Sequence, residues 1–360
     1  MRKKIAIFGS TGSVGTQVLQ CLRFLEDIYD VVGLVCNKPQ KLFEEQQREW
    51  RPRYSLCVSS DENPVKKMCD FVNNDDVEYV VNAISGTAGV ELTKAAIESG
   101  KTVFLANKES MVMRGVEFMK LANERGAKIV PLDSEACGLW QLLRCENLVG
   151  GECNCRIISG QSVIPFLCYR KINELKSVTI TASGGPFFGF SREQLAVVSR
   201  EQALNHPTWK MGKKISIDSA TLVNKAFEVI ECARFFNISV SKINVLVDRK
   251  SYVHAGVEFL NGEKKWVVYP PDMRSAITYA LTVMADGVSV EQYAPQLPII
   301  IDDMANVDFK YVDNGVFPAI SHSIELAPRG DVACAEFCAK NELAVNNFLN
   351  GAIPFINLLT

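Results

Sequence analysis

The stretch that decides the fold runs from residue 5 to residue 15 and reads Ile5-Ala-Ile-Phe-Gly-Ser-Thr-Gly-Ser-Val-Gly15. An apolar run leads directly into a glycine-rich loop, and an amphipathic segment over residues 16–25 follows it. Gly9 permits a tight turn, Gly12 lets backbone N–H groups approach a pyrophosphate, and Gly15 allows close helix packing. Strand, loop and helix in this order predict a dinucleotide-binding unit. The alternative is that the glycines only turn the chain.

The end of the second predicted strand indicates which nicotinamide cofactor binds. In NAD-binding units, an acidic residue about 20 residues further on holds the ribose 2′-hydroxyl. Here the sequence reads Val35-Cys36-Asn37-Lys38, and the first nearby carboxylate is Glu44. Because Lys38 can meet a 2′-phosphate, the sequence favours NADPH over NADH.

Hydrophobic patterning divides the 360 residues into several parts. Residues 1–130 alternate short apolar strands with amphipathic helices, which predicts a doubly wound parallel sheet. Longer strands follow up to about residue 269, with one long helix starting near Ala220. We therefore expect an α/β protein with four segments: a Rossmann-like NADPH-binding domain (1–147), an α+β catalytic domain for metal and substrate (148–282), a linker (283–308) and a small C-terminal helical domain (309–360).

Charge and composition exclude several classes of protein. With 39 Lys and Arg against 41 Asp and Glu, the net charge of -2 offers no cationic field to gather nucleic acid or anionic lipid. No segment approaches the ~20 apolar residues of a membrane span. The 12 cysteines are scattered, and pairs such as Cys153 and Cys155 lack the spacing of zinc knuckles. We expect reduced thiols, a cytoplasmic protein, and neither nucleic-acid nor membrane partners.

Two groups of acidic residues are candidates for a metal site. Asp133-Ser134-Glu135 follows an apolar segment, so an extended backbone would direct both carboxylates to one side. Such a pair suits Mg²⁺ or Mn²⁺, although Asp133 or Ser134 could instead simply cap a helix. Further on, Asn224 and Glu228 share a helix face, with Lys225 adjacent and Asp218 or Ser219 as the cap. The alternative there is an amphipathic helix with a solvated polar face.

Two loops are candidates for holding an anionic substrate. Ser183-Gly-Gly-Pro-Phe187 ends another predicted strand, and its consecutive glycines can form a backbone nest for an anion, or merely a turn. Residues 206–212 read His-Pro-Thr-Trp-Lys-Met-Gly, which is typical of a mobile cover that brings an aromatic ring over a ligand. The other two histidines, His254 and His322, lie in apolar contexts, so we expect them to be structural.

Taken together, these motifs resemble those of the 1-deoxy-D-xylulose 5-phosphate reductoisomerase family, the NADPH enzymes of the methylerythritol phosphate route to isoprenoids. The matching segments occur in the family's order and cover nearly the whole chain. They are Gly9–Gly15, Ala106–Ser110, Asp133–Glu135, Ala182–Phe187, His206–Gly212, Lys214–Thr221, Asn224 and Lys225 with Glu228, and Pro271–Arg274.

The resemblance implies a role for each of the matching residues. A divalent ion, Mg²⁺ or Mn²⁺, would be held by Asp133, Glu135 and Glu228. Substrate phosphate would be held by Ser183, Ser219, Asn224 and Lys225, and the carbon skeleton or its oxygens by Lys108, Ser134 and His206, under Trp209. The catalytic residues would be Lys108, Glu135, His206 and Glu228. Cofactor contacts would come from Thr11, Gly12, Ser13, Val14, Gly15, Asn37, Lys38, Asn107, Glu109 and Gly212.

The implied chemistry is a metal-assisted rearrangement of 1-deoxy-D-xylulose 5-phosphate, by retro-aldol and aldol steps, followed by hydride delivery. The product would be 2-C-methyl-D-erythritol 4-phosphate, and the family suggests a homodimer. The alternatives are a divergent NADP oxidoreductase acting on another phosphorylated hydroxyketone or semialdehyde, and a non-catalytic ligand-binding paralogue.

Three departures from the family pattern stand out. Ala136 replaces a usual histidine, Asp248-Arg-Lys-Ser251 replaces the common His-Pro-Gln-Ser, and the helical tail after the segment 341–349 is shorter than in the family. Because Ala136 and residues 248–250 lie outside the set that would hold metal, phosphate and hydride donor, we expect these changes to tune activity rather than abolish it.

Overall fold

The computed structural model describes residues 2–59, 61–143, 174–209, 211–285, 299–301 and 307–359, and for residues 299–301 only the backbone. Most of the linker predicted for residues 283–308, the Cys153 and Cys155 pair, and Lys210 of the cover loop lie outside these ranges.

The first half of the chain forms a parallel sheet that carries the glycine-rich loop. Its strands are β1 (Lys3–Phe8), β2 (Tyr29–Cys36), β3 (Tyr54–Cys57), β4 (Tyr79–Asn82), β5 (Thr102–Leu105) and β6 (Lys128–Pro131). They pair in the order β3-β2-β1-β4-β5-β6, every pair parallel. The strand order reverses beside β1, and such a switch point is where open α/β sheets bind ligands. The predicted doubly wound sheet is confirmed.

Helices connect these strands: α1 (Ser13–Leu22), α2 (Lys41–Trp50), α3 (Pro64–Val72), α4 (Ala88–Glu98), α5 (Lys108–Arg125) and α6 (Ser134–Leu143). The first begins three residues before the predicted start, because the glycine loop turns directly into it. A Cβ on Gly15 would lie 2.2 Å from the carbonyl oxygen of Gly9, so only glycine permits this close return of the helix.

The second half of the chain adds a mixed sheet. Its strands are β7 (Leu175–Ala182), β8 (Ile243–Val247), β9 (Val253–Phe259), β10 (Lys264–Val268) and β11 (Ile299–Ile301), in the order β11-β10-β9-β7-β8. Only the β7–β8 pair among these is parallel. Helix α6 packs against β9, so it links the two sheets.

Helices α7 (Arg192–Leu195), α8 (Arg200–Leu204), α9 (Lys213–Ala220) and α10 (Val223–Phe236) lie between β7 and β8, and α11 (Met273–Val283) follows β10. The long helix expected to start near Ala220 is α10, which begins at Val223, and a separate helix, α9, ends at Ala220. The break is at Leu222, which takes a left-handed φ of 62° and precedes α10. Asp218 and Ser219 consequently lie inside α9 rather than capping α10.

The chain ends in helices α12 (Ala319–Leu326) and α13 (Asp331–Leu349) and a 3₁₀ turn over Phe355–Leu359. This agrees with the prediction that the C-terminal part of the chain is helical. Helix α13 packs against α5 of the nucleotide fold, and α12 against α10. The domain boundaries remain predictions: 147/148 lies outside the described residues, and 282/283 falls in the last turn of α11. Among the described helices, none has the length and apolar character needed to cross a membrane.

Candidate active site

Three carboxylates from separate elements converge at the carboxyl edge of the first sheet. Asp133 follows β6, Glu135 lies in the first turn of α6, and Glu228 comes from α10. One ligand atom from each can be chosen so that all lie within 4.8 Å of one another. The backbone is not extended as predicted, since the Asp133 carbonyl already accepts a hydrogen bond from the Cys137 N–H at 2.8 Å. Asp133 thus begins a helix and also joins an acidic cluster.

Two buried lysines bind this cluster. Lys108, at the start of α5, donates to Asn224 Oδ1 at 2.6 Å and Glu228 Oε1 at 3.0 Å, and its Nζ lies 3.1 Å from Asp133 Oδ2. Lys225 donates to Glu135 Oε1 at 2.6 Å and forms a close ion pair with Glu228 Oε2. The Glu228 carboxylate therefore stands between two ammonium groups from opposite sides of the site.

Both lysines keep their charge in this buried position. Burial alone would lower the pKa of Lys108, but the carboxylates around it, Asp133 and Glu228 foremost, raise that pKa well above its ordinary value. Burial would also lower the pKa of Lys225, but the carboxylates of Glu135 and Glu228 outweigh this effect and raise that pKa. The two ammonium groups are thus stabilised by carboxylates in a place that little water reaches.

The cluster fits a hard divalent cation. Asp133 Oδ2 and Glu228 Oε2 are buried and accept no hydrogen bond of good geometry, although each lies against a lysine. Three carboxylates also face only two ammonium groups, so the cluster carries excess negative charge. Carboxylate oxygens in this number suit Mg²⁺ or Mn²⁺.

Hydroxyl, imidazole and amide groups surround a second part of the site. Ser183 Oγ lies 2.9 Å from His206 Nε2, and the Gly185 N–H donates to Ser183 Oγ at 3.2 Å. Ser219 is close by, because a Cβ on Gly185 would lie only 2.6 Å from the Ser219 carbonyl oxygen. Asn224 and Lys225 extend this group toward the carboxylates. The predicted phosphate residues therefore share one region.

The His206 ring fixes the loop over residues 206–209 beside the site. His206 Nδ1 accepts hydrogen bonds from the backbone N–H groups of Thr208 at 3.2 Å and Trp209 at 2.9 Å. The Trp209 ring then meets His254 edge-on, with ring centroids 6.4 Å apart. Burial, and secondarily Arg249, lowers the pKa of His206 from 6.5 to about 4. The ring is therefore neutral at physiological pH.

One cavity joins these groups to the glycine-rich loop. Its lining includes most of the predicted residues: Ser13, Val14, Lys108, Asp133, Ser134, Glu135, Ser183, His206, Trp209, Gly212, Ser219, Asn224, Lys225 and Glu228. The sequence analysis assigned no role to seven further lining residues, although five of them lie within the segments that match the family. They are Ala106, Ala182, Met211, Ile215 and Met273 in those segments, and Gln17 and Leu222 outside them.

The other predicted cofactor residues lie around the same sheet edge. Asn37 and Lys38 are exposed after β2. Asn107 is buried, and its side-chain amide donates to the carbonyls of Ile84 and Gly86, both at 2.8 Å. Glu109 Oε1 accepts from Lys214 at 2.8 Å, so this residue already links α5 to α9.

Comparison with known proteins agrees with this geometry. Profiles of 1-deoxy-D-xylulose 5-phosphate reductoisomerase match residues 5–67 and 63–115, and those of its C-terminal domains match residues 129–236 and 269–360. The chain belongs to the 1-deoxy-D-xylulose 5-phosphate reductoisomerase family.

Curated relatives with this name support the assignment along the whole chain. The proteins from Pelotomaculum thermopropionicum and Agathobacter rectalis are each 35% identical over 99% of this chain, covering 89% and 90% of their own lengths.

Solved structures agree as well. A reductoisomerase in complex with NADPH, fosmidomycin and magnesium has a TM-score of 0.81 and 29% identity, covering 99% of this chain and 87% of its own. The Zymomonas mobilis reductoisomerase in complex with NADPH has a TM-score of 0.74 and 27% identity, with 100% and 90% covered. The predictions of family, fold class and cofactors are confirmed.

Glu231 is a buried acid that sequence reasoning missed. It lies one turn after Glu228 on α10, is fully buried, and has a carboxyl pKa raised well above its usual range by burial and then by Asp133. The available signal was the position of this acid within the apolar run Phe227–Cys232 at helical spacing from Glu228. At Ala136, where the family usually has histidine, the side chain is fully buried in the core.

His254 is a packed structural histidine, as its apolar context predicted. Its ring stacks on Tyr269 with centroids 3.8 Å apart, and the Tyr269 hydroxyl donates to the Ser134 carbonyl at 3.1 Å. Burial lowers the pKa of His254 from 6.5 to about 4. The residue therefore supports the backbone beside Glu135 without being charged.

We predict that the free energy of unfolding decreases as pH falls from 6.5 to about 4, partly because of His254. In that window the unfolded chain binds a proton that the folded chain refuses, so lower pH favours unfolding. Urea unfolding at several pH values measures the slope. His254→Gln should flatten it, whereas His322→Gln on α12 serves as the control. Equal slopes for His254→Gln and the unmodified protein would contradict the assignment.

Proposed function

We propose that this chain catalyses the NADPH-dependent, divalent-metal-assisted isomerisation and reduction of 1-deoxy-D-xylulose 5-phosphate to 2-C-methyl-D-erythritol 4-phosphate, in isoprenoid precursor biosynthesis. The observation that carries the proposal is the meeting, in one cavity, of three carboxylates, two charged lysines and a group of neutral hydrogen-bond donors beside a dinucleotide loop. One NADPH and one proton are consumed for each product formed.

Asp133, Glu135 and Glu228 would hold the ion in this reaction. A bound Mg²⁺ or Mn²⁺ supplies Lewis-acid stabilisation of the negative charge that develops on substrate oxygens. The Lys108 ammonium group lies 3.1 Å from Asp133 and 3.0 Å from Glu228. It would therefore lie close to the substrate oxygens that the ion contacts. We assign Lys108 to donate a hydrogen bond to an oxygen of the carbon skeleton while the carbon–carbon bond breaks and re-forms.

The substrate phosphate would lie against Ser183, Ser219, Asn224 and Lys225, with His206 beside them. Ser183 and His206 already hold each other in place, and Lys225 brings the positive charge. A fixed phosphate keeps the carbonyl and hydroxyl groups of the sugar near Glu135 and Ser134, which is the positional advantage that a rearrangement requires.

Reduction needs the nicotinamide ring of NADPH in the same cavity as the substrate. Ser13 and Val14 of the glycine-rich loop and Gly212 line this cavity and would hold the cofactor there. The remaining cofactor contacts are assigned to Thr11, Gly12, Gly15, Asn37, Lys38, Asn107 and Glu109. The apolar side chains of Trp209, Met211 and Met273 exclude water from the path of the hydride.

The substrate that binds this site is a small phosphorylated sugar. We further propose that the protein works as a homodimer in the cytoplasm, without nucleic-acid or membrane partners, in keeping with its net charge of -2.

The direct test is an assay with deoxyxylulose phosphate, NADPH and Mg²⁺. We expect nicotinamide absorbance to fall, and the product to weigh two hydrogen atoms more than the substrate. Omission of Mg²⁺ should stop the reaction. Turnover of a different phosphorylated hydroxyketone or a semialdehyde instead, or NADPH binding without any turnover, would contradict the proposal.

We predict that Glu228→Gln greatly weakens Mg²⁺ binding and lowers activity, because an amide is a poor ligand for a hard cation. NADPH binding should stay within about twofold, since the glycine loop is untouched. Glu135→Gln provides a second variant in case the first folds poorly, and Glu98→Gln makes the same change on the exposed face of α4. An unaltered rate with an unaltered metal requirement in both site variants would refute the ligand assignment.

We also predict that Lys38→Glu erodes the preference for NADPH over NADH about tenfold or more, because a charge-assisted phosphate contact is lost and a repulsive charge gained. The ratio of kcat/KM for the two cofactors measures this preference. Lys120→Glu, an exposed charge reversal on α5, is the control. Equal use of both cofactors by the unmodified protein would overturn the role of Lys38.

A further inference from the structure

The turn between β8 and β9 departs from the family pattern and touches both loops of the phosphate region. We call Asp248-Arg-Lys-Ser251 the 248–251 turn. The Asp248 carboxylate accepts the backbone N–H groups of Lys250 at 3.0 Å, Tyr252 at 2.8 Å and Val253 at 3.0 Å. The Asp248 N–H in turn donates to the Ala182 carbonyl at 2.9 Å. This turn is therefore fixed against the residue that precedes Ser183.

Arg249 reaches from this turn to the backbone beside Ser183. One of its guanidinium nitrogens donates to the Ser183 carbonyl at 2.5 Å and to the Gly185 carbonyl at 2.9 Å. The guanidinium also lies over the Phe188 ring, 5.3 Å from its centroid. A single cation thus joins two carbonyls of the 183–185 turn, in which Gly184 and Gly185 have left-handed φ values of 79° and 63°.

The 183–185 turn sets the direction of the Ser183 hydroxyl. Since His206 Nδ1 accepts from two backbone N–H groups, the ring proton of the neutral imidazole resides on Nε2 and points to Ser183 Oγ. Ser183 Oγ also accepts from the Gly185 N–H. Its own hydrogen is therefore available for donation to a ligand, provided that the backbone of Ser183 and Gly185 stays in place.

A second contact and the charge of Arg249 reach the cover loop. Ser251 Oγ lies 3.4 Å from Thr208 Oγ1. The positive charge of Arg249 acts on His206 strongly enough to help lower the pKa of that ring. The same field favours a dianionic phosphate placed next to His206.

We propose that Arg249 is a positioning residue of the phosphate subsite: it fixes the 183–185 turn from its carbonyl side and adds a positive charge that raises the affinity for a phosphorylated substrate. This inference rests on the proposed function, since it takes Ser183 as a phosphate contact with His206 beside it. Lysine cannot replace arginine fully, because an ammonium group stacks on the Phe188 ring less well than the planar guanidinium does.

The test compares Arg249→Met, Arg249→Lys and the control Lys250→Met, which removes the neighbouring charge of the same turn. Steady-state kinetics give KM for deoxyxylulose phosphate and for NADPH, and inhibition by inorganic phosphate gives its Ki. For Arg249→Met we expect substrate KM and phosphate Ki to rise about tenfold, as for the loss of a charge-assisted interaction. In Arg249→Met the KM for NADPH and kcat should change less than about threefold. The substrate KM and phosphate Ki of Arg249→Lys should lie between those of the unmodified protein and of Arg249→Met.

Other outcomes overturn the inference. An unchanged substrate KM in Arg249→Met, or equal losses for substrate and NADPH, would show that Arg249 only supports the fold. A rise in substrate KM and phosphate Ki in Lys250→Met as large as in Arg249→Met would show that the effect comes from general surface charge. Calorimetric titration with inorganic phosphate separates this inference from the proposed function. A tenfold weaker affinity in Arg249→Met supports the subsite even if deoxyxylulose phosphate is not turned over.

Discussion

The rest of the site depends on the buried Glu228 carboxylate, which is held between the ammonium groups of Lys108 and Lys225. Lys108 comes from the nucleotide fold and Lys225 from α10, which lies between β7 and β8 of the second sheet, so this contact joins the two halves of the chain. Removing one partner of such a buried pair typically costs about 3–5 kcal/mol, because the other charge is left alone. The carboxylate is consequently a structural link, and in the proposed function it is also a ligand of the metal ion.

The same contact explains why the two chemical functions adjoin. Helix α10 carries Asn224 and Lys225, which we assign to the substrate phosphate, and one turn later Glu228, which we assign to the metal. The carboxyl ends of β5 and β6 lead to Lys108 and Asp133, as open α/β sheets favour. Chain-specific residues act around this shared frame. The 248–251 turn supports the phosphate region through backbone carbonyls, so its sequence can differ while the groups that face the ligand stay the same.

Local patterns in the sequence were sufficient for the doubly wound sheet and the glycine-rich loop. They marked Asp133, Glu135 and Glu228 as acidic candidates, but only the family resemblance joined the three carboxylates into one site. Period-two and helical repeats specify such elements, and acidic residues in an apolar segment have few structural uses. The sequence did not reveal β3 or the break at Leu222, because a short edge strand and a left-handed leucine are decided by tertiary packing. Glu231 and the Arg249 contacts escaped for a similar reason, since burial and carbonyl partners at distant positions leave no local pattern.

The most direct measurement of the central claim is anomalous diffraction from crystals grown with Mn²⁺. The account predicts a strong peak with oxygen atoms of Asp133, Glu135 and Glu228 about 2.0–2.3 Å away, at the distances typical of hard cations. A peak at any other group of residues, or no peak at saturating Mn²⁺, would contradict it.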